Sequence, residues 1–203
     1  MSAEPVRVVV VDDESLVASS LSTLLSLEDD LDVVATLGSG EELLDWCRTH
    51  HAPDVAVTDL QMGGIDGVET AASLPEGVAV LIVTSHGRPR QLKRALAAGV
   101  AGFVPKTSSA AEFATAVRTV HAGRRCLDPE LAAQAIGAGE SPLTERETEL
   151  LEVAGQGGSV EQIAETVHLA AGTTRNYLSS AMSKTGAATR FEAWRIARDR
   201  GWL

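Results

Sequence analysis

The run Val6–Val11 constrains this chain more than any other feature. It is almost continuously β-branched, with only Arg7 interrupting the valines. Such a run suits a strand buried on both faces, and strands of that kind belong to parallel sheets with helices packed on each side. The pattern after it alternates. Ser15–Leu27 has helical apolar spacing, and Leu31–Leu37 reads as a strand. Glu41–His50 reads as a helix, Asp54–Thr58 as a strand, and Asp66–Ser73 as a short helix after Gly63 and Gly64. Ala79–Thr84 is a strand, and Pro89–Ala98 a helix with Pro at its start and Gly99 just past its end. Gly102–Pro105 is a strand, and Ser109–Ala122 a helix closed by Gly123. Five β-α units with short connections predict an open parallel sheet.

The period changes past Gly123. Arg124–Glu140 reads as a connector with a short helix over Pro129–Ile136 and a hinge of Gly137, Gly139 and Pro142. Only helical patterns follow: Glu145–Ala154, Val160–Val167, Gly172–Thr185 and Arg190–Arg200. The expected organisation is therefore an α/β domain over residues 1–122, a linker over 123–140 and an all-α domain over 141–203. A chain of 203 residues accommodates two small domains.

Apolar residues make up 44% of the chain but aromatics only 3%, so the cores must be built from Val, Leu, Ile and Ala. No secretory signal or membrane-length apolar run is visible, which predicts a cytoplasmic protein with no membrane association. Cys47 and Cys126 lack metal-ligand spacing and read as free thiols in a reducing compartment. The net charge of −11 argues against indiscriminate binding to nucleic acid or anionic membrane. Residues 1–140 carry 10 Lys and Arg against 20 Asp and Glu, whereas residues 141–203 carry 7 against 8. Positive charge thus gathers at the C-terminal end, as in a protein whose two modules meet different partners.

In an open parallel sheet, ligands bind outside the carboxyl ends of the strands. Those ends offer Asp12, Asp13 and Glu14 after the first strand, Asp59 after the third, Thr84 and Ser85 after the fourth, and Lys106 after the fifth. Three neighbouring carboxylates repel unless a cation neutralises them, and oxygen-only ligands select a hard ion such as Mg²⁺. An Asp beside that ion can be the nucleophile of a phosphoryl transfer. Lys106 would neutralise the transferring oxygens, and the Thr84 hydroxyl would hydrogen-bond one of them. Taken singly, each residue is ordinary: Asp12 and Asp13 could merely cap a helix, and Lys106 could be a surface charge. The signal is their joint placement at successive strand ends.

These motifs resemble the receiver domain of two-component response regulators. The resemblance runs over residues 5–122, through Val-Val-Asp12-Asp13-Glu, Val-Thr-Asp59-Leu-Gln-Met62, Ile-Val-Thr84-Ser and Gly-Phe103-Val-Pro-Lys106. It implies a flavodoxin-like fold whose five strands lie in the order 2-1-3-4-5. It assigns Asp59 as phosphoacceptor. Asp13, Asp59 and the Gln61 backbone carbonyl become Mg²⁺ ligands, with Asp12 binding directly or through water. Phe103 corresponds to the aromatic whose rotamer follows Thr84, and the side chains of Gln61 and His86 flank the acceptor. Two departures stand out. Gly63-Gly64 follows Met62 where the family usually has Pro, and Pro105 precedes Lys106, which suggests that the last strand is an edge.

In the C-terminal domain, Val160–Thr185 reads as helix, turn, helix. Ile163, Ala164 and Val167 form one apolar face, and Leu178, Ala181 and Met182 another. The second helix of such a motif enters the DNA major groove. Arg175, Asn176 and Ser179 would face the bases, and Thr173, Tyr177, Lys184 and Arg190 the phosphates. The same pattern would also suit a helical protein-interaction module. Leu143–Glu147, Ile163-Ala164 and Thr173–Leu178 resemble the LuxR-type domain of the NarL/FixJ subfamily, so the resemblance spans the chain. Thr174 departs from a usual Val, Ser179 from a polar or basic DNA contact, and Lys184-Thr185-Gly186 from Lys-Leu-Gly.

The resemblance implies phosphorylation of Asp59 by a sensor histidine kinase, homodimerisation, binding to double-stranded DNA and control of transcription. The closing Gly201-Trp202 is nearest a membrane-lipid thermosensor branch, whose receivers pair through their first and last helices, here Ser15–Leu27 and Ser109–Ala122. A phosphatase of the haloacid dehalogenase type also uses an Asp nucleophile and Mg²⁺. It needs a second Asp two residues on, where this chain has Gln61. A receiver protein that acts only through protein contacts is the third alternative.

Overall fold

The computed structural model describes residues 4–85, 89–127, 129, 132–133 and 141–203. The chain divides into two compact units, the first made by most of Met1–Leu131 and the second essentially by Ala132–Leu203. The expected helix Pro129–Ile136, the hinge up to Glu140, and His86 lie largely or wholly outside the described residues.

In the first unit, strands β1 (Val6–Val11), β2 (Leu31–Leu37), β3 (Val55–Asp59), β4 (Ala79–Thr84) and β5 (Gly102–Pro105) alternate with helices α1 (Ser15–Leu25), α2 (Gly40–Thr49), α3 (Gly67–Ser73), α4 (Pro89–Ala97) and α5 (Ala110–His121). A further strand, β6 (Cys126–Leu127), follows α5. The sheet has the order β2-β1-β3-β4-β5-β6, and every pairing is parallel. The flavodoxin-like order is as expected, but the sheet has six strands rather than five.

The added strand also corrects the reading of Pro105. β5 is flanked on both sides, and β6 is the edge. Among the described residues, β6 pairs with Gly102 and Phe103 and not with the proline. On the other side, Thr84 lies opposite Pro105, and its carbonyl takes its donor from the Lys106 N–H at 2.8 Å. The proline, which has no N–H to give, is thus accommodated at the end of β5 without the strand being an edge.

Side chains alternate across the strands. Val8, Val10, Val55, Val57, Leu81, Val83 and Val104 face α1 and α5, where Leu21, Leu25, Phe113 and Val117 close one core. Val9, Val11 and Ala56 face the other way, onto Leu43 of α2 and Met62. With both faces covered, every residue of β3 is buried, including Asp59 at its end. Helix starts are set locally by Ser39, Asp66 and Ser109, whose side chains accept first-turn N–H groups.

The second unit contains α6 (Glu145–Gly155), α7 (Val160–Thr166), α8 (Ala171–Thr185) and α9 (Arg190–Asp199). Leu150, Leu151, Ile163, Leu178, Ala193, Trp202 and Leu203 are among the residues of its core. Gly155 allows close packing, since a Cβ there would lie 2.1 Å from the Trp194 indole nitrogen. Gly186 ends α8 with φ of 71°, the left-handed cap that glycine adopts without steric cost. Among the described residues, no helix is long and apolar enough to cross a membrane.

Candidate functional site

The carboxyl ends of β1, β3, β4 and β5 meet at a cavity of about 270 Å³ lined by Glu14, Asp59, Gln61, Thr84, Ser85 and Lys106. The fold brings the expected groups together because parallel strands all end on the same side of the sheet. Asp59 is 7% exposed and Asp12 4%, whereas Asp13 is on the surface. One carboxylate oxygen from each of Asp12, Asp13 and Asp59 lies within 4.8 Å of the others.

The Lys106 ammonium crosses this acidic cluster. Its Nζ is 2.7 Å from Asp12 Oδ2, 3.3 Å from Asp59 Oδ1 and 3.3 Å from Glu14 Oε1. Burial alone would push the Lys106 pKa down. Its hydrogen bond to Asp12 and the nearby Asp59 and Asp12 charges outweigh that effect and hold it above the ordinary lysine value. Burial pushes the Asp59 carboxyl above its ordinary range. The Asp12 charge adds to the rise, while Lys106 opposes it.

Backbone groups hold the acceptor loop. The Gln61 N–H donates to Asp59 Oδ2 at 3.3 Å, and the Gly63 N–H donates to Asp13 Oδ2 at 3.1 Å. Glu41, from the start of α2, accepts the Ile65 N–H at 2.9 Å. Glu14 was placed at a strand end by the sequence, but its contact with Lys106 and the hold of Glu41 on Ile65 were not evident, because local spacing does not show what either carboxylate reaches.

Thr84 is 3% exposed at the end of β4, and Phe103 is fully buried on β5. Ile82 pairs with Phe103 and Thr84 with Pro105, while Val83 and Val104 pair on the opposite face. Alternation therefore sets Thr84 and Phe103 on the same face of neighbouring strands. This is the placement required if one is to follow the other.

Within the helical unit, Thr173, Arg175, Asn176 and Ser179 are exposed along α8, while Thr174, Leu178 and Ala181 are buried. Tyr177 is half-buried and packs against the core. Arg175 lies 3.7 Å from Glu161. Two of the expected phosphate contacts have partners within the unit: Lys184 Nζ reaches Glu147 Oε2 at 2.7 Å, and Arg190 donates to the Gly158 carbonyl.

The role of Glu147 in the helical unit was likewise not evident from sequence. Glu147 is 3% exposed, accepts the Ser180 hydroxyl at 2.6 Å and the Thr144 N–H at 2.7 Å, and joins α6 to α8 through Lys184. Burial alone would raise its pKa, but the Lys184, Ser180 and Thr144 hydrogen bonds together bring it down to about 2. The Thr-x-x-Glu capping box at Thr144 was the available signal.

Residues 8–118 match the response regulator receiver domain, and residues 141–197 match the bacterial regulatory proteins of the luxR family. The transcriptional regulatory protein DesR of Bacillus subtilis is 34% identical over 98% of this chain and 99% of its own length. UhpA of Escherichia coli, also a transcriptional regulatory protein, is 35% identical over 97% of this chain and 100% of its own. The crystal structure of the response regulator ChrA of a heme-sensing two-component system superposes with a TM-score of 0.59. It is 30% identical, and the match covers 99% of this chain and 100% of that one. With an acidic pocket at the strand ends of one unit and a helix-turn-helix in the other, this chain belongs to the two-component response regulators of the NarL/FixJ subfamily, transcriptional regulators that join a receiver to a LuxR-type DNA-binding domain.

Proposed function

We propose that a sensor histidine kinase phosphorylates Asp59, and that the phosphorylated receiver pairs with a second copy and sets two α8 helices on DNA half-sites in the cytoplasm. The observation that carries this reading is the Lys106 ammonium 3.3 Å from Asp59 Oδ1, among the carboxylates of Asp12, Asp13 and Asp59. An Asp59 oxygen attacks the phosphorus of a phosphohistidine. The P–N bond breaks and the imidazole leaves with its electron pair. Lys106 balances charge on the phosphoryl oxygens, and Thr84 offers its hydroxyl to one of them.

The all-oxygen donor set of Asp12, Asp13 and Asp59 fits Mg²⁺, with the Gln61 carbonyl as a further ligand. When bound, the ion supplies further charge neutralisation at the phosphoryl group. Gln61 stands where an Asp-nucleophile phosphatase needs its acid/base carboxylate, which favours a phosphorylated switch over turnover. On the DNA side, Arg175 and Asn176 suit guanine and adenine edges, with Thr173, Ser179 and Tyr177 beside them. Lys184 and Arg190 would have to exchange their Glu147 and Gly158 partners for phosphates.

The test is incubation with a small-molecule phosphodonor and Mg²⁺, followed by a gel shift on genomic DNA fragments. Phosphate should enter the native chain but not Asp59→Ala, and the phosphorylated chain should shift DNA more strongly. Equal incorporation in both proteins overturns the assignment.

A further inference from the structure

The residue after Met62 is Gly63. Glycine is not required there for space: a Cβ at Gly63 would have nothing within 4 Å. Nor is it required for conformation, since Gly63 does not adopt positive φ, unlike Gly64 with φ of 85°. What glycine supplies and proline cannot is an N–H. That N–H donates to Asp13 Oδ2 at 3.1 Å.

We propose that the Gly63 amide is a positioning group for the divalent cation, holding the Asp13 carboxylate inside the acidic cluster. The inference rests on the reading of Asp12, Asp13 and Asp59 as a Mg²⁺ site. Asp13 is the exposed member of that cluster, so repulsion from Asp12 and Asp59 favours its swinging out to solvent. A hydrogen bond to one of its oxygens opposes that swing and leaves the other oxygen for a cation. The donor is itself held in place. Two residues on, the Ile65 N–H is anchored by Glu41 Oε1 at 2.9 Å, and that carboxylate lies directly against Gly64. Donors that orient ligating carboxylates typically change metal affinity by about 10- to 100-fold.

The test compares Mg²⁺ and Mn²⁺ binding by the full-length native chain, Gly63→Ala and Gly63→Pro, by calorimetry and by the Mn²⁺ resonance signal. Gly63→Ala keeps the N–H and fits the available space, so it should bind like the native chain. Gly63→Pro removes the N–H and should bind about tenfold more weakly. Because proline could also disturb the loop, amide exchange at Gly63 is measured by NMR in the native chain and in Asp13→Ala. The Gly63 amide should be protected in the first and lose protection in the second. Equal affinity of the Pro and Ala variants, equal weakening in both, or equal Gly63 exchange with and without the Asp13 carboxylate overturns the inference. A native chain that binds neither ion overturns the Mg²⁺ reading together with it.

Discussion

Gly67 lies directly against the main-chain carbonyl of Asp59: a Cβ built on it would sit 2.2 Å from that oxygen. The Gly67 N–H also donates to the Leu60 carbonyl at 3.0 Å, and Asp66 caps α3 immediately before it. The start of α3 is thus seated on the end of the acceptor strand, and only a residue without a side chain fits. Gly67→Ala must push the two apart. It should cost about 1–3 kcal/mol of stability and slow phosphoryl transfer to Asp59 by roughly 10- to 100-fold through misplacement of the nucleophile. Thermal melts and phosphodonor time courses check both. A variant with native melting and native rate contradicts the packing.

Asp59 is a buried carboxylate whose pKa is raised by burial and by Asp12. Ionising such a group opposes folding, and the cost appears as the pH rises from the unfolded pKa through the folded one. At neutral pH the neutral amide avoids that cost. Asp59→Asn should therefore be more stable than the native chain without metal. Adding Mg²⁺ should narrow the gap. Melting curves at pH 7, with and without the ion, test this, and a less stable Asn variant in metal-free buffer refutes it.

Glu147 reverses that sign. Its pKa falls from 4.5 to about 2 in the folded chain. The stability it contributes is fully present above its unfolded pKa and is lost as the pH falls toward about 2. The difference corresponds to about 3 kcal/mol in the helical unit. Glu147→Gln should lose most of this at pH 7 and little at pH 2. Urea melts followed through Trp194 and Trp202 in a Trp46→Phe background measure it. Parallel pH profiles for the two proteins would exclude the Glu147 network as the source.

Thr174 is fully buried, and its Oγ1 has no hydrogen-bond partner among the described residues. Val is nearly isosteric with Thr and has no hydroxyl to satisfy. Thr174→Val should stabilise the helical unit by about 1 kcal/mol. A fall in its urea midpoint would show that the hydroxyl is bonded in solution.

Arg175 and Asn176 lie exposed on α8, with Glu161 3.7 Å from Arg175. Arg175→Ala or Asn176→Ala should cost about 1–3 kcal/mol of binding to the preferred DNA site and relax discrimination at one base pair. Lys184→Ala should instead destabilise the fold, because it strands buried Glu147. Quantitative gel shifts and melting curves separate the two effects.

The α/β alternation, the bounds of most strands and helices within a residue or two, and the strand-end positions of Asp12, Asp13, Asp59, Thr84 and Lys106 could all be read from the sequence. Apolar runs report burial directly, and parallel strands place their carboxyl ends together whatever the loops do. Other features required the tertiary structure. β6 is only two residues long and carries no periodicity, so its pairing with Gly102 and Phe103 exists only where α5 delivers it. The engagement of Lys184 by Glu147, 37 residues away, and of Arg190 by Gly158, 32 away, follows from helix packing, which local spacing does not encode. The Gly63 N–H meets Asp13 across 50 residues for the same reason. Composition and order specify the elements and their chemistry. Which donor faces which carboxylate is settled only when distant segments are brought to hydrogen-bonding distance.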